Sequence, residues 1–138
     1  MKPNQEQLIA FYHSNTIIDY LNIDVIPMDN EEIRIELSVK ESHTNFCDIC
    51  HGGVLTTMAD TAMGGLCFAL NKKVVTMNLT IDFIHAVPMM TKVIAVPRML
   101  HNGRTTMLCE CDMVDGEGKL FAKAHATFFV IGPFIETE

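Results

Sequence analysis

Residues 47–65 read CDICHGGVLTTMADTAMGG, and three chemistries can be read from that stretch. Cys47-x-x-Cys50-His51 has the spacing that attaches c-type haem. Cys47 and Cys50 could join Cys109 and Cys111 in a four-sulfur zinc site. His51-Gly52-Gly53 followed by a single acid, Asp60, could receive and attack a carbonyl. Haem attachment belongs mostly to exported or organellar chains, and the N-terminus MKPNQEQLIAFYHSN has neither an apolar core nor a small-residue cleavage site. The zinc reading is weakened by Cys109-x-Cys111, whose spacing is that of a strand. Five cysteines without an export signal read best as free thiols, mostly buried as small apolar groups.

The carbonyl reading has a physical basis. The first N–H groups of a helix have no intrahelical acceptor, and glycine lets a substrate come close to them, so His51-Gly52-Gly53 opening a helix is a seat for a developing oxyanion. On a helical wheel Gly53, Thr56, Gly64 and Cys67 fall within about 40° of Asp60, a small, polar face. Val54, Leu55, Met58, Ala62, Leu66 and Ala69 fall on the opposite, apolar half. No other charged residue, with His51 counted neutral, lies between Asp48 and Lys72. A lone carboxylate in such a stretch is expected to be partly desolvated and suited to general-base or nucleophilic work, where a solvated helix acid would be inert.

The elements that must position these groups follow from periodicity. Residues 4–13 read as a short amphipathic helix packing on an edge, and residues 20–40 as a hairpin in which Ile33, Ile35, Leu37 and Val39 alternate with polar neighbours. Residues 52–70 form the one long helical pattern. Four strands follow, at 74–87, 91–100, 104–114 and 119–131, with Gly103 and then Gly116 and Gly118 marking tight turns. The expected fold class is α+β, an antiparallel sheet of about six strands wrapped around one long central helix. With 138 residues, 49% of them hydrophobic, the chain is expected to be a single domain, 1–138, with an N-terminal helical segment over 1–19 and a short tail over 132–138 ending in solvated Glu136-Thr137-Glu138. Ten Lys and Arg against seventeen Asp and Glu, net charge −7, argue against nucleic acid as partner. No run of eighteen apolar residues argues for a membrane span, and a cytoplasmic location is expected. His13, His43, His85, His101 and His125 show no metal spacing. Glu110, Asp112 and Asp115 read as a solvated strand face and turn.

Asn45 stands six residues before His51 and Asp60 nine after it, and this resembles the HGG-x(6)-D signature of hotdog-fold thioesterases of the phenylacetic-acid-degradation type. VTMNLTIDFIHAVP is similar to that family's third strand, with His85-Ala86 where many members carry Arg-Pro, and the resemblance spans residues 20–131. It implies hydrolysis of acyl-coenzyme A thioesters, without metal or redox cofactor, at sites shared between subunits of a homodimer or a homotetramer built as a dimer of dimers. By position, Asp60 would be general base or nucleophile, and Gly52 would give its N–H to the thioester oxygen. Asn45 would orient substrate or water, and Thr76 would reach that water from the partner chain. His51 belongs to the catalytic set, chiefly by holding the loop, while Gly53, Gly64 and Arg104 are assigned to substrate binding. Two rivals share the fold. A hydratase or dehydratase needs a His converging with a carboxylate, and His51 and Asp60 lie about 90° apart on the wheel. A non-catalytic acyl-CoA-binding protein would have no need of Asp60.

Overall fold

The structure, a computed structural model, describes residues 1–136. In chain order the elements are α1 (Gln5–Ser14), α2 (Thr16–Tyr20), β1 (Asp24–Pro27), β2 (Ile33–Ser38), α3 (Gly52–Ala69), β3 (Lys73–Phe83), β4 (Lys92–Asn102), β5 (Thr106–Val114) and β6 (Leu120–Gly132). The strands form one antiparallel sheet in the order β1-β2-β4-β5-β6-β3. This is the expected hotdog arrangement, with α3 in the concave face. Leu55, Met58, Ala59, Ala62 and Met63 of α3 are buried, as are Ala95, Met107, Cys109, Cys111 and Met113 from the sheet. Ala122, Ala124 and Ala126 alternate inward along β6 and are small enough for the sheet to curl closely round the helix. No described helix is long and apolar enough to cross a membrane.

Asn4 starts α1 with a reciprocal cap, accepting from Gln7 N at 2.9 Å while Gln7 Oε1 accepts from Asn4 N at 2.8 Å. α1 then lies on α3 and beside the edge strand β1, where Gln5 Nε2 donates to Met28 O at 3.0 Å. Its Tyr12 is buried over Gly65, where a Cβ would come within 2.0 Å of the phenolic oxygen. The N-terminal helical segment expected over 1–19 is two helices, and the second, α2, is a single turn and a half whose Ile18 is fully buried. β6 runs to Gly132, and Phe134 then packs against Phe68 with ring centroids 4.0 Å apart. Asn71 ties this segment down, its Oδ1 accepting from Ile135 N at 2.8 Å. Glu136 is exposed, and the remainder of the expected acidic end, Thr137 and Glu138, lies outside the described residues.

β3 is an edge strand carrying an irregularity between Thr76 and Asn78 that leaves Met77 unpaired with β6. Thr76 faces the helix side opposite inward-pointing Phe128, and Leu79, Ile81 and Phe83 face the same side beyond the bulge. The strand ends four residues before the expected Val87. Ile84 N and His85 N both donate to Phe121 O, and residues 84–88 turn to brace the loop before α3, Val87 O accepting from Cys50 N at 2.8 Å.

The solvated strand face expected at Glu110 and Asp112 is an ion-pair lattice. Arg98 Nε donates to Glu110 at 2.9 Å and Nη2 to Asp112 at 3.0 Å, while Lys123 and His125 approach from β6. The Arg98 hydrogen bond holds the Glu110 carboxyl below the usual range. Partial burial pushes Asp112 the other way, but hydrogen bonds from Arg98 and Lys123 outweigh it and leave the carboxyl below its ordinary value.

Candidate active site

The loop leading into α3 is built from its own polar groups. Asn45 Oδ1 accepts from Cys47 N at 2.9 Å and from Ile49 N at 3.5 Å, and Asn45 N donates to Ile49 O at 2.8 Å. Asn45 Nδ2 makes no hydrogen bond among the described residues and is free to donate. His51 is the N-cap, its Nδ1 accepting from Gly53 N at 2.8 Å. Its own N–H donates to the carbonyl of His43, a buried histidine whose Nδ1 accepts from Lys40 N and whose Nε2 meets Leu21 O. The cap consumes the Gly53 N–H. Gly52 N–H, the first of the helix, has no acceptor among the described residues and is the donor left for a ligand. It opens on a cavity of about 310 Å³ lined by Asn45, Gly52, Leu55, Phe83 and His85. A Cβ at Gly52 would stand 3.0 Å from the Phe83 ring, so glycine is what lets that ring close one wall.

Asp60 sits two turns on, half-buried, and its Oδ1 accepts from Thr76 Oγ1 at 2.8 Å. The pair joins α3 to β3 within one chain. The expectation that Thr76 meets this site from the partner is therefore corrected: β3 crosses the same helix, and Thr76 points towards it in register with Phe128, just before the bulge at Met77. A second correction concerns distance. Eight residues at 1.5 Å rise place Asp60 about 12 Å along the axis from Gly52. A carbonyl oxygen at Gly52 N–H and a water on Asp60 of the same chain are too far apart to react. The wheel gave angle and ignored rise.

Gly64, one turn beyond Asp60, has no atom within 4 Å of where a Cβ would sit and keeps that face open. Gly53 is exposed with its N–H committed to His51. Cys67 does not share the open face. It is fully buried, in a side-chain hydrogen bond with Cys109 that holds its thiol well above the usual range. Val54, Leu66 and Ala69, expected in the apolar core, are only half-buried. Arg104 is exposed in the β4–β5 turn, which Lys72 anchors to the C-terminal end of α3 by donating to Gly103 O at 2.8 Å. That is the far end of the helix from Gly52 and Gly53. Leu55, expected on the apolar half of α3, also lines this cavity, and Phe83 is the lining residue that the sequence does not reveal, since nothing in the period of β3 says that its ring meets Gly52.

Cys47 is exposed and Cys50 buried, and burial pushes the Cys50 thiol up to about 11, so it is not a thiolate nucleophile at neutral pH. Among the described residues no three His, Cys, Asp or Glu side chains gather as a metal site.

Comparison with known proteins bears on what the two groups serve. The family model described as Thioesterase superfamily matches residues 48–122. The chain is 28% identical over 129 residues to the acyl-coenzyme A thioesterase PaaI of Escherichia coli K12, covering 94% of this chain and 92% of that one. The solved structure of E. coli PaaI, from the phenylacetic acid degradation operon, superposes with a TM-score of 0.85 at 27% identity, covering 96% of each chain. A hypothetical thioesterase of Streptococcus pneumoniae TIGR4, solved with coenzyme A, superposes with a TM-score of 0.74 at 28% identity, covering 81% of this chain and 90% of that one.

Proposed function

The chain belongs to the thioesterase superfamily, within its PaaI-like hotdog branch, and from that premise we propose that it hydrolyses acyl-coenzyme A thioesters at sites each built from two chains. One chain gives the base half, Asp60 with Thr76. The other gives the electrophile half, Gly52 N–H with Asn45. The observation that carries this reading is the 2.8 Å Thr76–Asp60 hydrogen bond on an open helix face, with the unpaired Gly52 N–H of the same chain about 12 Å away along the helix axis. β3, a free and long sheet edge, has Val75 and Met77 exposed beside Thr76 and supplies the surface on which a second copy would pair.

In the proposed reaction Thr76 O–H fixes one carboxylate oxygen of Asp60, and the other accepts from a water. As that water attacks the thioester carbon, Asp60 takes its proton and the carbonyl oxygen gathers negative charge at the partner's Gly52 N–H, at the positive end of the helix dipole. The C–S bond then breaks, coenzyme A leaves as thiolate, and the proton held by Asp60 passes to the sulfur. Asn45 Nδ2 donates to water or acyl oxygen. His51 serves as the cap, since its Nδ1 lone pair is already occupied by Gly53 N–H. The working unit is a homodimer or homotetramer in the cytoplasm. The test is thiol release from a panel of acyl-CoA thioesters differing in chain length and aromaticity. Asp60→Asn is expected to lower kcat on the order of a hundredfold or more while the circular dichroism spectrum stays unchanged. A folded Asp60→Asn protein with near wild-type kcat would overturn the role of the carboxylate.

A further inference from the structure

The sheet has an opening. β2 pairs with β4 only where Glu36, Leu37 and Ser38 face Ile94, Val93 and Lys92. Beyond Ile94, β4 continues to Asn102 bound to β5 alone, and residues 33–35 of β2 are bound to β1 alone. Pro97 falls in the unpaired stretch and has no N–H to offer a neighbour. A cavity of about 780 Å³ occupies the space, within the range of small-molecule sites and larger than the one beside Gly52. By strand alternation it joins both faces of the sheet, because Ile33, Ala95 and Pro97 point to the helix side and Arg34, Ile94 and Val96 to the outer side. Gly65, Leu66 and Ala69 of α3 close the inner end, on the side of the helix turned away from Asp60.

Most of this wall is apolar, and one of its buried donors has no partner. Arg34 Nη2 is bound to the buried Glu36 at 2.7 Å, while Arg34 Nε is buried without an acceptor. The Tyr12 side chain lies against the same cavity. Buried donors left unmade in native proteins are uncommon and mark a place for an acceptor. Lys2, Glu31 and Glu32 line the mouth, one base with two acids, so selection for a carboxylate falls to the unmade Arg34 Nε donor within.

We propose that this opening binds an elongated apolar carboxylic acid, with its carboxylate on Arg34 and its hydrocarbon along Leu66 and Ala69. The site uses none of the groups assigned to thioester hydrolysis, and its test is independent of that reading. The full-length protein, carrying labelled Ile, Leu and Met methyl groups, is titrated by NMR with decanoate and, separately, with methyl decanoate, which keeps the chain and removes the charge. Saturable shifts are expected at Met28, Ile33 and Leu66, with the acid binding at least fivefold more tightly than the ester. Ala69→Phe, which fills the inner end, and Val96→Phe, which fills the outer mouth, are each expected to weaken decanoate at least tenfold. Two variants at opposite ends guard against one failing to fold. Absence of saturation, equal affinity for acid and ester, indifference to both substitutions, or shifts confined to Ile49 and Leu55 beside Gly52 would each overturn the proposal.

Discussion

If each active site takes Asp60 from one chain and Gly52 from another, two dead proteins should repair one another. Gly52→Pro is the sharper way to remove the electrophile half, because proline deletes the N–H itself. The position tolerates it: Gly52 is the first helical residue after the His51 cap, where proline is favoured, and His51 at φ −62°, ψ 133° is already in the extended conformation that a following proline requires. The Phe83 ring, 3.0 Å from the new Cβ and half-exposed, has to yield a few tenths of an ångström. Loss of one oxyanion donor lowers kcat by about 10²–10³. Asp60→Asn alone falls to on the order of one per cent or less. Refolded together in equal amounts, chains of a dimer pair at random, so about half the dimers are mixed. Each mixed dimer holds one site with both groups intact and one with neither, so recovered activity should be about a quarter of wild type per chain. The assay is thiol release after co-refolding, with each variant refolded alone as control. Activity no greater than the sum of the two controls would refute the divided site.

Other consequences are open to direct measurement. Gly65→Ala drives a methyl group into Tyr12 and should cost about 1–3 kcal/mol by urea unfolding; an unchanged midpoint would mean that α1 is not docked as described. His51→Ala should cost about 1 kcal/mol through the lost cap, whereas His51→Asn, itself a good N-cap, should keep both stability and most of the hydrolysis. A loss with His51→Asn as deep as with Asp60→Asn would put the imidazole into proton transfer. Glu110 and Asp112 are held below their usual range in the fold, so the stability they give is present above a carboxylate's ordinary value of about 4 and is lost as pH falls through their lower folded values. Arg98→Met should therefore lower Tm at pH 7, and its difference from wild type should shrink on acidification; a difference constant with pH would contradict the lattice.

How much could be read beforehand depended on which geometric quantity a pattern encodes. α3 and Asp60 were legible because an apolar stripe of period 3.6 ran past one unaccompanied charge. β4, β5 and β6 were legible because glycine turns separate them. α2 as a separate helix was not: five residues are too few for a period, and Ile17-Ile18 is β-branched. Cys67 was misplaced because a wheel assumes one buried side, and the C-terminal half of α3 is also covered by Tyr12 and, at Phe68, by Phe134. The wheel also hid the axial gap between Gly52 and Asp60, which decides whether one chain can hold a complete site.

The bulge at Met77 shifts the phase of β3. Counted by twos from Val74, the inward positions would be Thr76, Asn78, Thr80 and Asp82, and the core side of the strand's second half would be polar. One extra residue resets the count, so Thr76 keeps its place beside Asp60 while Leu79, Ile81 and Phe83 keep theirs beneath the helix. Catalytic and packing demands thus occupy opposite parities of one strand, reconciled by a single insertion. Deleting Met77 would force a choice between them: either Asp60 loses its hydroxyl partner or three apolar side chains turn out to solvent. Such a deletion should be far more harmful than any substitution of the same exposed methionine, because the position is needed for its place in the count and not for its side chain.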